Sequence, residues 1–152
     1  MKMVKYRFNR KLGKVFLDEA GLTTEVGDSL KMIVLWASKP IYGKPFKHII
    51  AQDWVQLTFL DSSGNWCYAV LNDGTTNALD GWIQYQKKLE NNSIALSEII
   101  TTIGFEEIES RRQWFDYTFS GISGKPGLGD RMRQVIKQNQ FPLIEPLGLI
   151  NV

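Results

Sequence analysis

Residues 54–71 read WVQLTFLDSSGNWCYAVL, and the reading of this stretch decides the fold. Two runs rich in β-branched and aromatic residues flank Asp61-Ser62-Ser63-Gly64-Asn65. Such runs favour strands, and Gly and Asn accept the positive φ of a tight loop. If Leu60 faces Trp66, the following pairs are Phe59–Cys67, Thr58–Tyr68, Leu57–Ala69, Gln56–Val70 and Val55–Leu71. Opposed residues share a face and successive pairs alternate. One face then carries Val55, Leu57, Phe59, Cys67, Ala69 and Leu71, all apolar. The other carries Trp54, Gln56, Thr58, Leu60, Trp66, Tyr68 and Val70. A lone hairpin is marginal in water, so the apolar face must meet further structure. The aromatic face is either covered in the same way or left as a docking surface.

Outward from the hairpin, Val4, Tyr6 and Phe8 alternate with Lys5 and Arg7, as an amphipathic strand does. Asn9 followed by Leu12, Val15 and Phe16 has helical spacing, and Gly21 offers a stop. Residues 29–38, SLKMIVLWAS, suit a helix or a buried strand, with the helix favoured. Helices are expected from Thr76 or Asn77, with Leu79, Trp82, Ile83 and Leu89 on one face. Another is expected from Ser93, with Leu96, Ile99, Ile100 and Ile103 at i, i+3, i+4 and i+7. Residues 111–119, RRQWFDYTF, read as a strand with Phe115, Tyr117 and Phe119 inward. A glycine-rich loop over 121–129 and a short helix after Asp130 follow, the helix carrying Met132, Val135 and Ile136. These elements make an α+β domain: an antiparallel sheet of about four strands, built on the central hairpin and packed against three to five helices. Residues 1–140 form the domain, and 141–152, broken by Pro142 and Pro146, an extended apolar arm.

The 152 residues suit one domain, and 43% hydrophobic with 22% charged residues places the chain among globular proteins rather than disordered ones. No apolar run reaches the roughly 20 residues that span a bilayer. The basic N-terminus lacks the apolar core of a signal peptide. With Cys67 the only cysteine, an intramolecular disulfide is impossible, and a cytoplasmic location is expected. The net charge of +2 is unevenly spread: +6 over residues 1–52, −7 over 53–110 and +3 over 111–152.

Chemistry-bearing constellations are sparse. His48 is the only histidine, and Cys67 falls at mid-strand on the apolar face, where a thiol is inert. One His and one Cys cannot make a nitrogen–sulfur metal site. Asp53, Asp61, Asp73 and Asp80 lie around the hairpin ends, mostly in turn sequences. In Gly121–Gly129 a proline follows Lys125, where a phosphate-binding loop needs Ser or Thr. Arg131 and Arg133 offer a weaker anion site. Residues 93–119 have a helix-turn-helix outline, but Glu106, Glu107 and Glu109 would repel DNA. Neither a cofactor nor a metal nor a catalytic residue is implied.

What remains is docking material. The expectation is a non-catalytic interaction protein using aromatic and charged surfaces, with a protein partner or a second copy of the chain. Its contact residues would be Trp54, Trp66 and Tyr68 with Lys5, Arg7, Arg10, Lys11, Arg131 and Arg133. A second expectation is a single-strand nucleic-acid binder, in which the N-terminal basic residues hold phosphates and exposed rings stack bases. The third is a small hydrolase or phosphate-handling enzyme.

Overall fold

A computed structural model describes residues 3–44, 49–74, 76–108 and 114–141 of the chain. His48, Lys2 and the arm 142–152 lie outside the described residues. Nine strands form one mixed sheet. They are β1 (Val4–Asn9), β2 (Lys14–Glu19), β3 (Leu22–Gly27), β4 (Leu30–Ala37), β5 (Ile41–Gly43), β6 (Gln52–Leu60), β7 (Trp66–Asn72), β8 (Ile99–Glu107) and β9 (Phe115–Ser123). The order is β3-β2-β1-β7-β6-β4-β8-β9, with β5 beside the start of β6. Only β1–β7 is parallel. The sheet curls into a half-barrel, so that the start of β9 meets the end of β1, where Phe115 N–H donates to Arg10 O at 2.8 Å. The two α-helices among the described residues are α1 (Leu79–Asn91) and α2 (Leu128–Gln138).

The hairpin has the register read from the sequence, from Leu60↔Trp66 to Val55↔Leu71. Its apolar face is fully buried. It looks into the concavity, where α1 supplies Leu79, Trp82, Tyr85 and Leu89, and where Tyr6, Phe8, Val15, Met32, Ile103 and Tyr117 complete the core. The helix start is held by Asp73, whose Oδ1 accepts from Leu79 N–H at 3.1 Å. The opposite face of the hairpin is partly covered by α2. Leu128 and Met132 pack with Leu35, and Ile33, Leu60, Trp66, Val135, Ile136 and Phe141 border them.

The expected α+β arrangement of about four strands against three to five helices is therefore corrected to a mostly-β half-barrel with two helices. Three stretches carry the difference. Asn9 does cap, but it caps a turn: its Oδ1 accepts from Lys11 and Leu12 N–H at 3.0 Å each, and Gly13, at φ 64°, lets β2 turn back on β1. Residues 30–37 are strand β4, paired to both β6 and β8. In 96–103 the helical spacing yields to β-branched content. A 3-10 turn over Leu96–Glu98 leads directly into β8, where Ile99, Thr101 and Ile103 are buried and Ile100 and Thr102 less so. That alternation has period two, and the sequence Ile-Ile-Thr-Thr-Ile satisfies it as well as it satisfies a helix. The glycine-rich loop is shorter than read, because Gly121–Ser123 continue β9.

Candidate functional site

β1 puts Tyr6 and Phe8 into the core and turns Lys5, Arg7 and Asn9 to the other side of the sheet. This outer side is one wall of a cleft of about 380 Å³. Val70 and Asn72 of β7 form its floor, and Ile49 and Trp114 its rim. The volume lies in the range of small-ligand clefts, about 300–1,000 Å³. Trp114 keeps 46% of its surface exposed although it is a large apolar residue. Lys11, exposed, stands at the end where β1 turns.

Arg7 is held in place. Its Nε and Nη2 make a fork to Asp18 at 2.6 and 3.2 Å, Nη2 reaches Thr23 Oγ1 at 3.5 Å, and the guanidinium lies 5.8 Å from the Phe16 ring centre. Desolvation works against the Asp18 carboxylate, but the bonds from Arg7 and Thr23 outweigh it and hold its carboxyl below the usual range. The fork uses Nε and Nη2 and leaves the Nη1 edge for a ligand. Such a guanidinium binds an anion with less ordering cost than a mobile lysine.

Arg10 sits in the same wall but does different work. It is 5% exposed. Its Nε donates to Phe115 O at 3.0 Å, Nη1 to Asp73 O at 3.3 Å, and Nη2 to Asp116 Oδ1 at 3.2 Å and to Thr76 Oγ1. It also lies 6.0 Å from the Trp114 ring centre. Arg10 therefore positions the cleft rim and presents little charge to solvent. Lys5 is half-buried, in register with Tyr68 on β7.

The other residues singled out in the sequence lie elsewhere. Trp54 is 1% exposed, and its Nε1 has no hydrogen-bond partner among the described residues. A ring so enclosed offers nothing to a partner's surface. Trp66 is half-buried and stacks on Phe141 at 6.0 Å, and Phe141 also stacks on Trp36 at 6.4 Å. Arg131 and Arg133 lie on α2, do not line the cleft, and Arg133 pairs with Asp130. A glycine-loop anion site is disfavoured by Glu98, whose carboxylate Oε2 comes within 3.3 Å of where a Cβ on Gly129 would stand. Asp61 accepts from Tyr6 Oη and from the N–H groups of Ser63 and Asn65, while Asp73 caps α1. Among the described residues no group of three His, Cys, Asp or Glu could hold a metal ion. No helix is long and apolar enough to cross a membrane.

Trp114 and Ile49 were not singled out in the sequence. Trp114 read only as the outward neighbour of an inward Phe115, and no spacing rule links it to β1, about a hundred residues earlier. No family model, no curated protein and no solved structure matches this chain.

Proposed function

We propose that this chain is a non-catalytic binding protein whose ligand is a single-stranded nucleic acid laid across the outer side of β1. One observation carries the reading: Lys5, Arg7 and Lys11 border the same cleft as the half-exposed Trp114. Single strands are held by cations along the phosphates and by rings that stack unpaired bases. Val70 and Ile49 add an apolar seat for the base edge that water would otherwise cover. The cleft is too narrow in extent for a duplex-reading helix, and no helix borders it.

Fluorescence anisotropy with dye-labelled oligo-dT, oligo-rU and a duplex control tests this. The expected result is binding of the single strands that weakens as salt rises. Three neutralised phosphates give a log–log slope of about −2. Trp114→Ala removes a stacking platform worth about 1–3 kcal/mol per base. Lys11→Glu lowers affinity without altering the fold, because Lys11 is exposed. Absence of binding at low salt, or affinity unchanged in both variants, overturns the proposal.

A further inference from the structure

On the far side of the molecule, β9 ends the sheet next to α1. Phe115 spends both its N–H and its C=O on Arg10. In an antiparallel strand both groups of one residue point the same way, and the direction reverses at each step. The N–H and C=O groups of Tyr117, Phe119 and Gly121 therefore point away from β8, toward the open edge. The position of Gly81 agrees: a Cβ built there would stand 3.8 Å from Tyr117 O. Among the described residues no backbone group bonds to this edge beyond Phe115.

α1 runs alongside it. Gly81, Gln84, Lys88 and Asn92, spaced as one helical stripe, face Tyr117, Phe119 and Gly121 across a groove of about 630 Å³. Two glycines keep it open. A Cβ on Gly121 would come 2.5 Å from Tyr85 Oη and 2.6 Å from Ile99 Cδ1, and one on Gly81 would come 3.2 Å from the Phe119 ring. Charge is polarised along the groove. Lys88 lies toward the Gly121 end, and Glu106, next to the Thr118 pair in the β8–β9 ladder, lies toward the other.

We propose that this groove takes an extended peptide from another protein as an added strand on β9, with an acidic side chain toward Lys88 and a basic one toward Glu106. Edge addition draws affinity from main-chain bonds and selectivity from alternate side chains. Five residues from Tyr117 to Gly121 span roughly 17 Å, a short strand. The overhanging helix leaves room for one strand and excludes the sheet edge of a second copy, which would bring its own helix. This site is independent of the β1 cleft.

A phage-displayed linear peptide library panned on the intact chain tests the proposal. Synthetic copies of the enriched peptides are then titrated by NMR hydrogen exchange. Expected are β-prone sequences with an acid at one end and a base at the other. Their binding slows exchange of the Tyr117, Phe119 and Gly121 amides by about tenfold or more and is lost on backbone N-methylation of alternate peptide residues. Lys88→Glu weakens them by about tenfold and restores peptides bearing Lys in place of the acid. The proposal is overturned if no sequence enriches, if protection falls elsewhere, if Lys88→Glu binds as well as the parent, or if the edge instead forms a concentration-dependent dimer. Oligonucleotide affinity of Lys88→Glu reports separately on the β1 cleft.

Discussion

Arg10 and Phe115, 105 positions apart, bond to each other twice: Phe115 N–H to Arg10 O at 2.8 Å, and Arg10 Nε to Phe115 O at 3.0 Å. This pair joins the end of β1 to the start of β9 and gives the curled sheet its closure. The guanidinium then reaches Asp73 O, Thr76 Oγ1 and Asp116 Oδ1, tying in the turn that precedes α1. Removing one partner of a buried ion pair leaves the other desolvated, which costs about 3–5 kcal/mol. Asp116 is less buried than Arg10, with side-chain exposures of 31% and 4%, so the lower end of that range applies. Arg10→Ala should lower the urea midpoint accordingly, and Asp116→Asn should lower it less. An unchanged midpoint for Arg10→Ala would show that the closure is ornamental.

Gly74 offers an independent probe of the same clasp. It has φ 62°, in the left-handed region that glycine tolerates best. A Cβ there would collide with the Arg10 guanidinium. Gly74→Ala therefore combines backbone strain with displacement of Arg10, and a loss of about 1–3 kcal/mol is expected in thermal or urea unfolding. Because both substitutions act through one guanidinium, the double variant Gly74→Ala/Arg10→Ala should lose less than the two single losses together.

The hairpin was legible because its register follows from one alternation and one turn, both local. The half-barrel was not, and β8 shows why. In Ile99-Ile100-Thr101-Thr102-Ile103 an i, i+4 apolar pair and a period-two alternation coexist, so periodicity alone does not choose. The decision comes from β4 on one side and β9 on the other, partners about 70 and about 15 residues distant in sequence. The turn at Asn9 fails differently. Its side-chain chemistry was right, but a cap serves a turn as readily as a helix. In the cleft, Lys5, Arg7 and Lys11 were legible as a basic run, whereas Arg10 looked the same and is consumed by Asp116. Burial separates them, and burial is set by β9.

Acid and alkali should attack different parts of this structure. Desolvation raises the cost of the Asp61 carboxylate, but bonds from Asn65, Tyr6 and Ser63 hold its carboxyl below the ordinary 3.8. A lowered folded value means that the contribution is complete above the unfolded value and disappears as pH falls through the folded one. Asp61→Asn should therefore flatten the stability profile below about pH 4. Tyr117 has the opposite sign. Burial pushes its phenol up from 10.0 to about 12, against smaller lowering effects from Asn72 and Arg10. Its contribution is complete below 10.0 and is lost as pH rises toward about 12. Unfolding midpoints followed from neutral pH to alkali should fall across that window, and less steeply in Tyr117→Phe.

Cys67 gives a chemical clock for opening of the core. The thiol is fully buried between Phe59 and the Asp61 turn, and its Sγ reaches Asn65 O at 3.2 Å. Burial first, then the Asp61 carboxylate, push its pKa up, so the thiolate that attacks a disulfide reagent is scarce as well as enclosed. Labelling by an aromatic disulfide should therefore be negligible in the folded chain and should proceed only through unfolding of the β6–β7 ladder. Arg10→Ala should accelerate it in proportion to its lost stability wherever opening is faster than labelling, because the open population then governs the rate. Labelling at the speed of a free thiol in the parent chain would place Cys67 outside the core and remove the apolar face on which the hairpin rests.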